Sequence, residues 1–399
     1  MSGTIWYTVW AGEKDIAAFN IMELDILSLG GGEFQKGSDH LAEVLQDAEF
    51  SVTTANAEWN DHPLSTSVSD YVVRSYGPVK IGYFGITADD VNFMADISPV
   101  WFKPHIAAAQ AAIDKLRELE CDFIVLLPHL RWWEVKELVE NTEGIDLAVG
   151  GFCAMPAEDF YLNRNGQVVR YTRSKDFAES LGIWKLVFDQ ENRINWHAST
   201  YEEREITSDL PVNLALESAI AEWRKDLDTL GKKTVGYADD ILSAHRPDIR
   251  QREMPLGNLI TDAMLWQAEK MGLSADIALF NGGAIRADLT PPQITLEEIY
   301  QAFPFNDTVE VFPITGSDLL ESLDNGVSRV QMSHGCFPHV SGMRYAYDFD
   351  TQSLVYAEIK TDYDTYAPVD PSATYQIVTR GYLSRGVMGI ACLHLFLIS

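Results

Sequence analysis

The sequence predicts a two-domain α/β protein with some α+β character. The first domain is expected to be a sheet covered by helices, and the second a smaller α/β domain. Its 399 residues exceed what one ordinary hydrophobic core serves. Apolar strand-like runs alternate with helical stretches in the first half, as in sheets covered on both faces. A long helical pattern at residues 211–231 follows, so we place the domains at residues 1–210 and 232–399 with this helix as their linker.

Composition and charge restrict the class of partner. The chain is 46% hydrophobic and 22% charged, which is typical of a globular protein. Its 30 Lys and Arg residues stand against 59 Asp and Glu residues, a net charge of -29. Such an excess of negative charge disfavours nucleic acids and anionic membranes as partners. The apolar tail at residues 386–399 is too short to cross a bilayer.

The four cysteines indicate neither a disulfide framework nor a zinc site. Cys121, Cys153, Cys336 and Cys392 are scattered without metal-type spacing. Cys121 and Cys392 lie among apolar neighbours, which favours core or tail thiols over reactive ones. Residues 1–20 lack the basic and apolar regions of a signal peptide.

In the first domain, short apolar runs predict strands and amphipathic stretches predict helices. Helices are predicted at residues 38–47 and 104–119. Strands are predicted at residues 25–29, 50–54, 79–87, 122–127, 145–149, 160–162, 168–171, 182–188 and 194–199. His129 follows one of these strands, at the sheet edge where ligands of open α/β sheets collect.

The linker helix carries an apolar stripe. Leucine, isoleucine and tryptophan recur at helical spacing, which usually indicates a face packed into a core. The members of the stripe are Leu214, Leu216, Ile220, Trp223, Leu227 and Leu230.

The second domain begins with clearer boundary signals. Helices are predicted at residues 257–271, 296–303 and 317–327, and strands at 277–280, 308–313 and 375–379. Thr295 is the expected N-cap of the second helix, and either Thr315 or Ser317 caps the third.

The stretch at residues 275–286, ADIALFNGGAIR, is the most informative one in the chain. A short apolar strand runs into paired glycines, which let the backbone turn and let another group approach closely. Asn281 and Arg286 bracket the turn and supply an amide and a planar fork of donors. Gly-Gly is also common punctuation, so a plain turn and a ligand loop are both open at this point.

Two neighbouring stretches extend this motif. Residues 250–263 read RQREMPLGNLITDA, and residues 303–306 read FPFN. Together the three stretches resemble the substrate-binding domain of the 5'-nucleotidase family, two-domain metallophosphoesterases that include UDP-sugar hydrolases and apyrases. The resemblance implies a metallophosphoesterase-like sheet sandwich in the first domain and a 5'-nucleotidase C-terminal domain in the second.

The resemblance also implies roles for five residues. Arg250, Asn281 and Arg286 would hold the polar groups of a substrate, Gly283 would permit close approach, and Phe305 would stack on a nucleobase. The alternative for Phe305 is an ordinary core aromatic. Beside them, Arg252 and Glu253 are expected to form a solvated pair.

Against the same family, the catalytic positions of the first domain are substituted. The family reads Gly-Asn-His-Glu-Phe-Asp where residues 30–35 read GGGEFQ, so Gly31, Gly32 and Gln35 replace a metal ligand and the catalytic dyad. A flexible turn between strand and helix is the plainer interpretation of GGGEF; a phosphate cradle is the alternative. Family Gly-Gly-His-Ser-His aligns with residues 150–154, GGFCA, which leaves His129 as a residual metal-ligand position.

These substitutions shape the expected function. The family uses two divalent metal ions, yet we expect no metal cofactor in this chain and no hydrolysis by the family mechanism. Weak binding of a nucleotide or nucleoside is the leading hypothesis. An active metal-dependent nucleotide phosphohydrolase of nucleotide catabolism is the competing one, and a damaged product without selected function is the third.

Both ends of the chain also depart from the family. The family's first metal-binding motifs would precede residue 1, so we expect a truncated chain, and any export signal of this typically periplasmic or extracellular family would be lost with them. Near the other end, Ile390 stands where the family has a second stacking ring. We therefore expect half of a base clamp to be missing.

Overall fold

The computed structural model describes residues 5–94, 97–151, 157–175, 178–305, 308–362 and 364–384. Chain contacts divide the described residues into two units. The N-terminal unit comprises those between 12 and 92 and between 97 and 220; the C-terminal unit comprises 5–11, which hold helix α1 (Ile5–Trp10), 93–94 and those between 221 and 384. The predicted domain boundaries stay a prediction.

The N-terminal unit is built around one mixed sheet. Its helices, up to the linker helix, are α2 (Glu13–Ile21), α3 (Ser38–Val44), α4 (Leu64–Ser67), α5 (Val91–Met94, whose last two residues belong to the C-terminal unit), α6 (His105–Glu118) and α7 (Trp132–Glu140). Its strands are β1 (Ile26–Ser28), β2 (Ser51–Thr53), β3 (Ala57–Glu58), β4 (Val68–Ser69), β5 (Val72–Tyr76), β6 (Val79–Thr87), β7 (Trp101–Phe102), β8 (Phe123–His129), β9 (Leu147–Gly150), β10 (Ala157–Leu162), β11 (Val168–Arg173), β12 (Ser180–Lys185) and β13 (Thr200–Glu205).

The order of the large sheet is β10-β11-β9-β8-β6-β5. Its inner strands β6, β8, β9 and β11 are parallel, and β5 and β10 are antiparallel at the edges. Strands β1, β2 and β4 form a second, parallel sheet. The inner strands are apolar because helices cover them: Phe84 and Leu126 pack with Ile113 of α6 and Leu138 of α7 in one buried cluster. Cys121 is a free thiol in the same cluster, as predicted.

One predicted strand is wrong. Of residues 194–199, Ile194 makes only an isolated bridge with Phe188 and residues 196–198 form a turn; the strand of this region is β13, which pairs with β12. The Asn195 side chain accepts hydrogen bonds from the backbone N–H groups of His197 and Ala198 at 3.1 and 3.2 Å. Such local side-chain bonding offers the backbone an alternative to a sheet ladder, which is why apolar Ile194 and Trp196 gave a misleading pattern.

The linker helix α8 (Leu214–Gly231) forms, but its apolar stripe is not a core face. Leu227 is 5% exposed, whereas Leu230 is 50% and Leu214 is 74% exposed. Helical spacing shows that one face is apolar; it does not show that a partner covers that face.

The C-terminal unit places a central strand between helices. Its helices after α8 are α9 (Pro255–Lys270), α10 (Leu296–Ala302), α11 (Gly316–Val327) and α12 (Gly381–Ser384). Its strands are β14 (Thr234–Tyr237), β15 (Ile277–Asn281), β16 (Gln293–Thr295), β17 (Val309–Thr315), β18 (Pro338–Ser341), β19 (Met343–Asp348), β20 (Ser353–Asp362), β21 (Thr365–Pro368) and β22 (Thr374–Arg380). The main sheet has the order β17-β22-β15-β18, with β15 parallel to β22 and antiparallel to β18.

The predicted helix caps explain where two of these helices begin. The Thr295 hydroxyl accepts from the backbone N–H of Glu298 at 3.3 Å, which confirms it as the cap of α10. The Thr315 hydroxyl accepts from Asp318 N–H at 3.2 Å, so Thr315 rather than Ser317 caps α11. No helix within the described ranges has both the length and the apolar character that a bilayer crossing needs.

Candidate functional site

The candidate ligand site of the C-terminal unit lies where β15 ends. All five residues of β15 are buried, and the last of them is Asn281. The Asn281 side-chain amide donates to the carbonyl of Gly335 at 2.8 Å, and Gly283 N–H donates to the same oxygen at 2.9 Å. The predicted turn is a short 3₁₀ helix, Gly282–Ala284. These bonds join the turn after β15 to the loop before β18.

Gly283 lies against the backbone of Gly335 and leaves no room for a side chain. A Cβ atom at this position would lie 2.7 Å from both the Cα and the carbonyl oxygen of Gly335, closer than real Cβ contacts come. The absent side chain therefore lets two backbone segments touch. Its predicted part in admitting a ligand stays a prediction.

Arg250 ends a 3₁₀ turn, Asp248–Arg250, and is only 9% exposed. One terminal nitrogen donates to the carbonyl of Ser333 at 3.3 Å, while the buried Nε has no partner in the described part of the chain. Burial first, and then the positive charges of Arg246 and Arg286, lower the pKa of Arg250 to about 10. A buried guanidinium with an unmade hydrogen bond is a candidate binding group.

Arg286 shares this environment, although its surface is exposed. Desolvation by the surrounding protein lowers its pKa first, followed by the charges of Arg246 and Arg380. Arg246, which precedes Arg250 by four residues, was not predicted from the sequence. Within the described residues, no carboxylate forms an ion pair with Arg250 or Arg286. The arginines therefore repel one another in the absence of an anion.

Phe305 is the aromatic member of the same cluster. The guanidinium carbons of Arg286 and Arg380 each lie 5.1 Å from the centre of its ring, within cation–π distance. Arg380 also donates to the Asn281 side-chain oxygen at 3.2 Å and lies 4.9 Å from the Tyr382 ring. Arg380 thus contacts both Asn281 and Phe305, and Phe305 also contacts Arg286.

Arg380 and Tyr382 are site residues that the sequence analysis missed. Arg380 ends β22, Tyr382 lies in α12, and β22 runs beside β15 in the same direction. The available signal was positional: side chains at the carboxyl ends of neighbouring parallel strands meet at one sheet edge.

Two cavities in this unit differ in their relation to the cluster. One of about 90 Å³ lies beside Phe305, and Arg380 is its polar lining residue. A larger cavity of about 350 Å³ is lined by Arg252, Glu253 and His339 among others, and by none of the five predicted substrate-binding residues. Arg252 and Glu253 do not form the expected pair: Arg252 lies 2.8 Å from Asp248, and Glu253 accepts from Asn258 at 2.6 Å.

His129, the residual metal-ligand position, ends β8 in the N-terminal unit. It is half-buried, and burial lowers its pKa, with Glu33 acting against this effect. Its ring packs on Gly30, where a Cβ atom would lie 2.5 Å from the imidazole. The segment after Gly30 is a 3₁₀ turn, Gly31–Lys36, whose Glu33 carboxylate accepts from Gly30 N–H at 2.8 Å. Glu33 therefore has the scaffold role that the resemblance implies.

The donors around His129 do not fit a pair of divalent ions. In the ranges that the structure describes, no three His, Cys, Asp or Glu side chains are grouped to hold a metal. Gly31 and Gly32 have no side-chain donors, and Gln35 supplies a neutral amide whose buried oxygen has no partner among described atoms. Phe152, Cys153, Ala154 and Ile390 lie outside the described residues.

Comparison with known proteins agrees with this fold. The family described as "5'-nucleotidase, C-terminal domain" matches residues 234–394. The trifunctional nucleotide phosphoesterase YfkN of Bacillus subtilis is 25% identical over 96% of the chain, which spans 29% of that protein. Human 5'-nucleotidase is 26% identical over 96% of the chain and 72% of the relative.

Solved structures give the same result. A 5'-nucleotidase precursor from Thermus thermophilus has a TM-score of 0.81 and 29% identity, covering 99% of this chain and 81% of that one. A putative 5'-nucleotidase from Staphylococcus aureus, solved with alpha-ketoglutarate, shares the fold at a TM-score of 0.80 and 16% identity, covering 98% and 80%. The fold is the mixed α/β architecture of two-domain proteins with a 5'-nucleotidase C-terminal domain. Residues 234–394 thus match a 5'-nucleotidase C-terminal domain, and the relatives and solved structures support the 5'-nucleotidase family for the chain as a whole.

Proposed function

We propose that this protein binds a nucleotide or nucleoside through the Phe305 cluster and that it has lost the hydrolysis of its family. The observation that carries the proposal is the contrast between two sets of side chains. Arginines and an aromatic ring are grouped at the end of β15, while glycines occupy the family's metal and dyad positions beside His129.

The arginine cluster favours an anionic group on the ligand. The described surroundings of Arg250 and Arg286 contain no ion-paired carboxylate, and burial, followed by the charges of neighbouring arginines, lowers the pKa of each. The net charge of -29 does not cancel this local field, because screening limits long-range effects to roughly 8 Å at physiological salt. A phosphate would supply the missing bidentate acceptor.

Phe305 adds a surface for a flat ring. Stacking of a base on an aromatic side chain contributes about 1–3 kcal/mol by truncation measurements. Without metal ions to hold a phosphate, stacking and a few charge-assisted bonds support binding in the high-micromolar to millimolar range, about 4–6 kcal/mol.

Loss of hydrolysis follows from what the family mechanism needs. Two metal ions activate the attacking water, bind phosphoryl oxygens and neutralise the charge that develops. By the resemblance, Gly31, Gly32 and Gln35 stand where the family has an asparagine, a histidine and an aspartate, which would remove a metal ligand for the first task and charge for the last.

The competing function is an active, metal-dependent nucleotide phosphohydrolase in nucleotide catabolism. It is favoured by the relatives named 5'-nucleotidase, which align over 96% of the chain. The two functions differ in one measurable property, which is metal-dependent turnover.

The test combines binding and turnover on the full chain. Titration calorimetry with AMP, IMP and orthophosphate should show weak binding that Arg250→Met reduces, while Arg344→Met, a guanidinium paired with Glu358 elsewhere in the unit, leaves it unchanged. Incubation of AMP with Zn²⁺, Mn²⁺ or Mg²⁺ should release no phosphate above a protein-free control. Turnover at about 1–10³ s⁻¹ that disappears with a chelator would establish the competing function instead.

A further inference from the structure

We propose that Arg380 selects the base, so that the site prefers 6-oxopurine nucleotides such as IMP and GMP to adenine nucleotides. This inference rests on the proposed function, because it specifies the ligand of the same site. Its residue comes from the structure alone, since Arg380 belongs to none of the motifs that indicate the family.

Several contacts with described residues hold Arg380 in position. It is the last residue of β22, it is buried, and its guanidinium donates to the Asn281 side-chain oxygen at 3.2 Å. Its guanidinium carbon lies 5.1 Å from the ring centre of Phe305 and 4.9 Å from that of Tyr382. A base that stacks on Phe305 therefore brings its edge to the guanidinium of Arg380.

The cavity at this point leaves the base few other polar groups to meet. Its described lining consists of Ile260, Phe280, Ala284, Phe303, Phe305, Val309 and Arg380, of which only the arginine carries a polar side chain. At about 90 Å³ it is well below the ~300–1,000 Å³ of pockets that enclose a ligand. It can hold the edge of a base while the rest of the ring lies over Phe305.

The chemistry of a guanidinium then decides which edge fits. Arginine presents N–H donors in a planar fork and no acceptor. The O6 and N7 atoms of guanine or hypoxanthine are a pair of acceptors that this fork matches. Adenine has an amino group in place of O6, so an N–H donor of the base would face an N–H donor of the guanidinium. Both groups would then lose water without gaining a hydrogen bond.

IMP and AMP form the sharpest pair of probes, because they differ at this edge and share ribose and phosphate. For the native protein we expect IMP to bind about 5- to 100-fold more tightly than AMP, the discrimination of one good bidentate contact. Arg380→Met should bring the ratio of the two dissociation constants close to one, chiefly by weakening IMP. Arg380→Lys, which keeps a charged donor but loses the planar fork, should give an intermediate ratio.

Arg344→Met is the matched control, because it removes a guanidinium that lies 4.2 Å from the Tyr366 ring outside this cavity. It should keep the native ratio. Circular dichroism melts establish that each variant is folded, and the Lys variant keeps the test decisive if the Met variant does not fold.

Three results separate this inference from the function on which it rests. Equal IMP and AMP affinities in the native protein overturn the inference and leave nucleotide binding standing. A native preference for IMP that survives Arg380→Met also overturns it. If the native protein binds neither nucleotide nor orthophosphate, the proposed function itself fails, and the inference fails with it.

Discussion

Replacing Gly283 by alanine tests the backbone contact on which the candidate site is built. The new Cβ atom would lie 2.7 Å from the Cα and the carbonyl oxygen of Gly335, so one of the two backbone segments must move. That movement strains two bonds to one oxygen, from Gly283 N–H at 2.9 Å and the Asn281 amide at 2.8 Å. Overpacking costs about 1–3 kcal/mol and each of the two bonds, if lost, about 0.5–1.5 kcal/mol, so we expect a loss of about 2–6 kcal/mol in the free energy of unfolding.

For a unit of this size, such a loss lowers Tm by about 5–25 °C, which thermal unfolding of the full chain followed by circular dichroism can measure. Gly236→Ala is the matched control, because a Cβ atom there would meet nothing within 4 Å, and surface changes of this kind stay within about 0.5 kcal/mol. If Gly283→Ala melts within a degree of that control, the two segments are not in firm contact and the site geometry is misjudged.

Two further variants address binding and pH. Phe305→Leu should weaken IMP binding about 5- to 100-fold and leave orthophosphate binding unchanged, because stacking is lost while the arginines remain. Phe349→Leu, at an exposed position, is its control. Equal losses of affinity for both ligands would contradict the role assigned to Phe305. Asp15 of α2 has a carboxylate oxygen that is buried without a described partner, and burial raises its pKa to about 6. A raised pKa means that the native state holds the proton more tightly, so the stabilisation is complete at pH below the unfolded value of 3.8 and is lost as the pH rises through about 6. Asp15→Asn should therefore raise Tm at pH 7.5 and not at pH 4; equal Tm values at pH 7.5 would refute a buried, strained carboxylate.

The sequence predicted the features whose causes are local. The strand at residues 277–280 and its glycine turn follow from an apolar run before Gly-Gly, and the structure extends the strand only to Asn281. The caps Thr295 and Thr315 are likewise encoded within four residues of the helices that they begin. In such cases, the chain segment that carries the signal is also the one that forms the structure.

The features that the sequence missed depend on contacts between distant segments. Arg380 reaches Asn281 although 99 positions separate them, because β22 and β15 are parallel neighbours in the sheet. Arg246 is recognisable only because its positive charge contributes to lowering the pKa values of Arg250 and Arg286. The prediction that the apolar stripe of α8 packs into a core was wrong for the opposite reason. The helical spacing is regular, but whether a side chain is buried depends on a packing partner that the spacing does not specify.

The arginine cluster is the strongest physical argument that this unit evolved around an anion. Burial first, and then the charges of Arg246 and Arg286, lower the pKa of Arg250 to about 10, so holding its charge here costs the fold free energy. A chain with 59 acidic residues could have placed a carboxylate beside them, yet within its described part Arg250 and Arg286 have no such ion pair. Under the proposed function, a phosphate group would give each guanidinium the paired acceptors that the described protein does not supply. The acidic composition and the basic cluster are then compatible: the net negative charge disfavours polyanions such as nucleic acid, and the local cluster favours a single small anion.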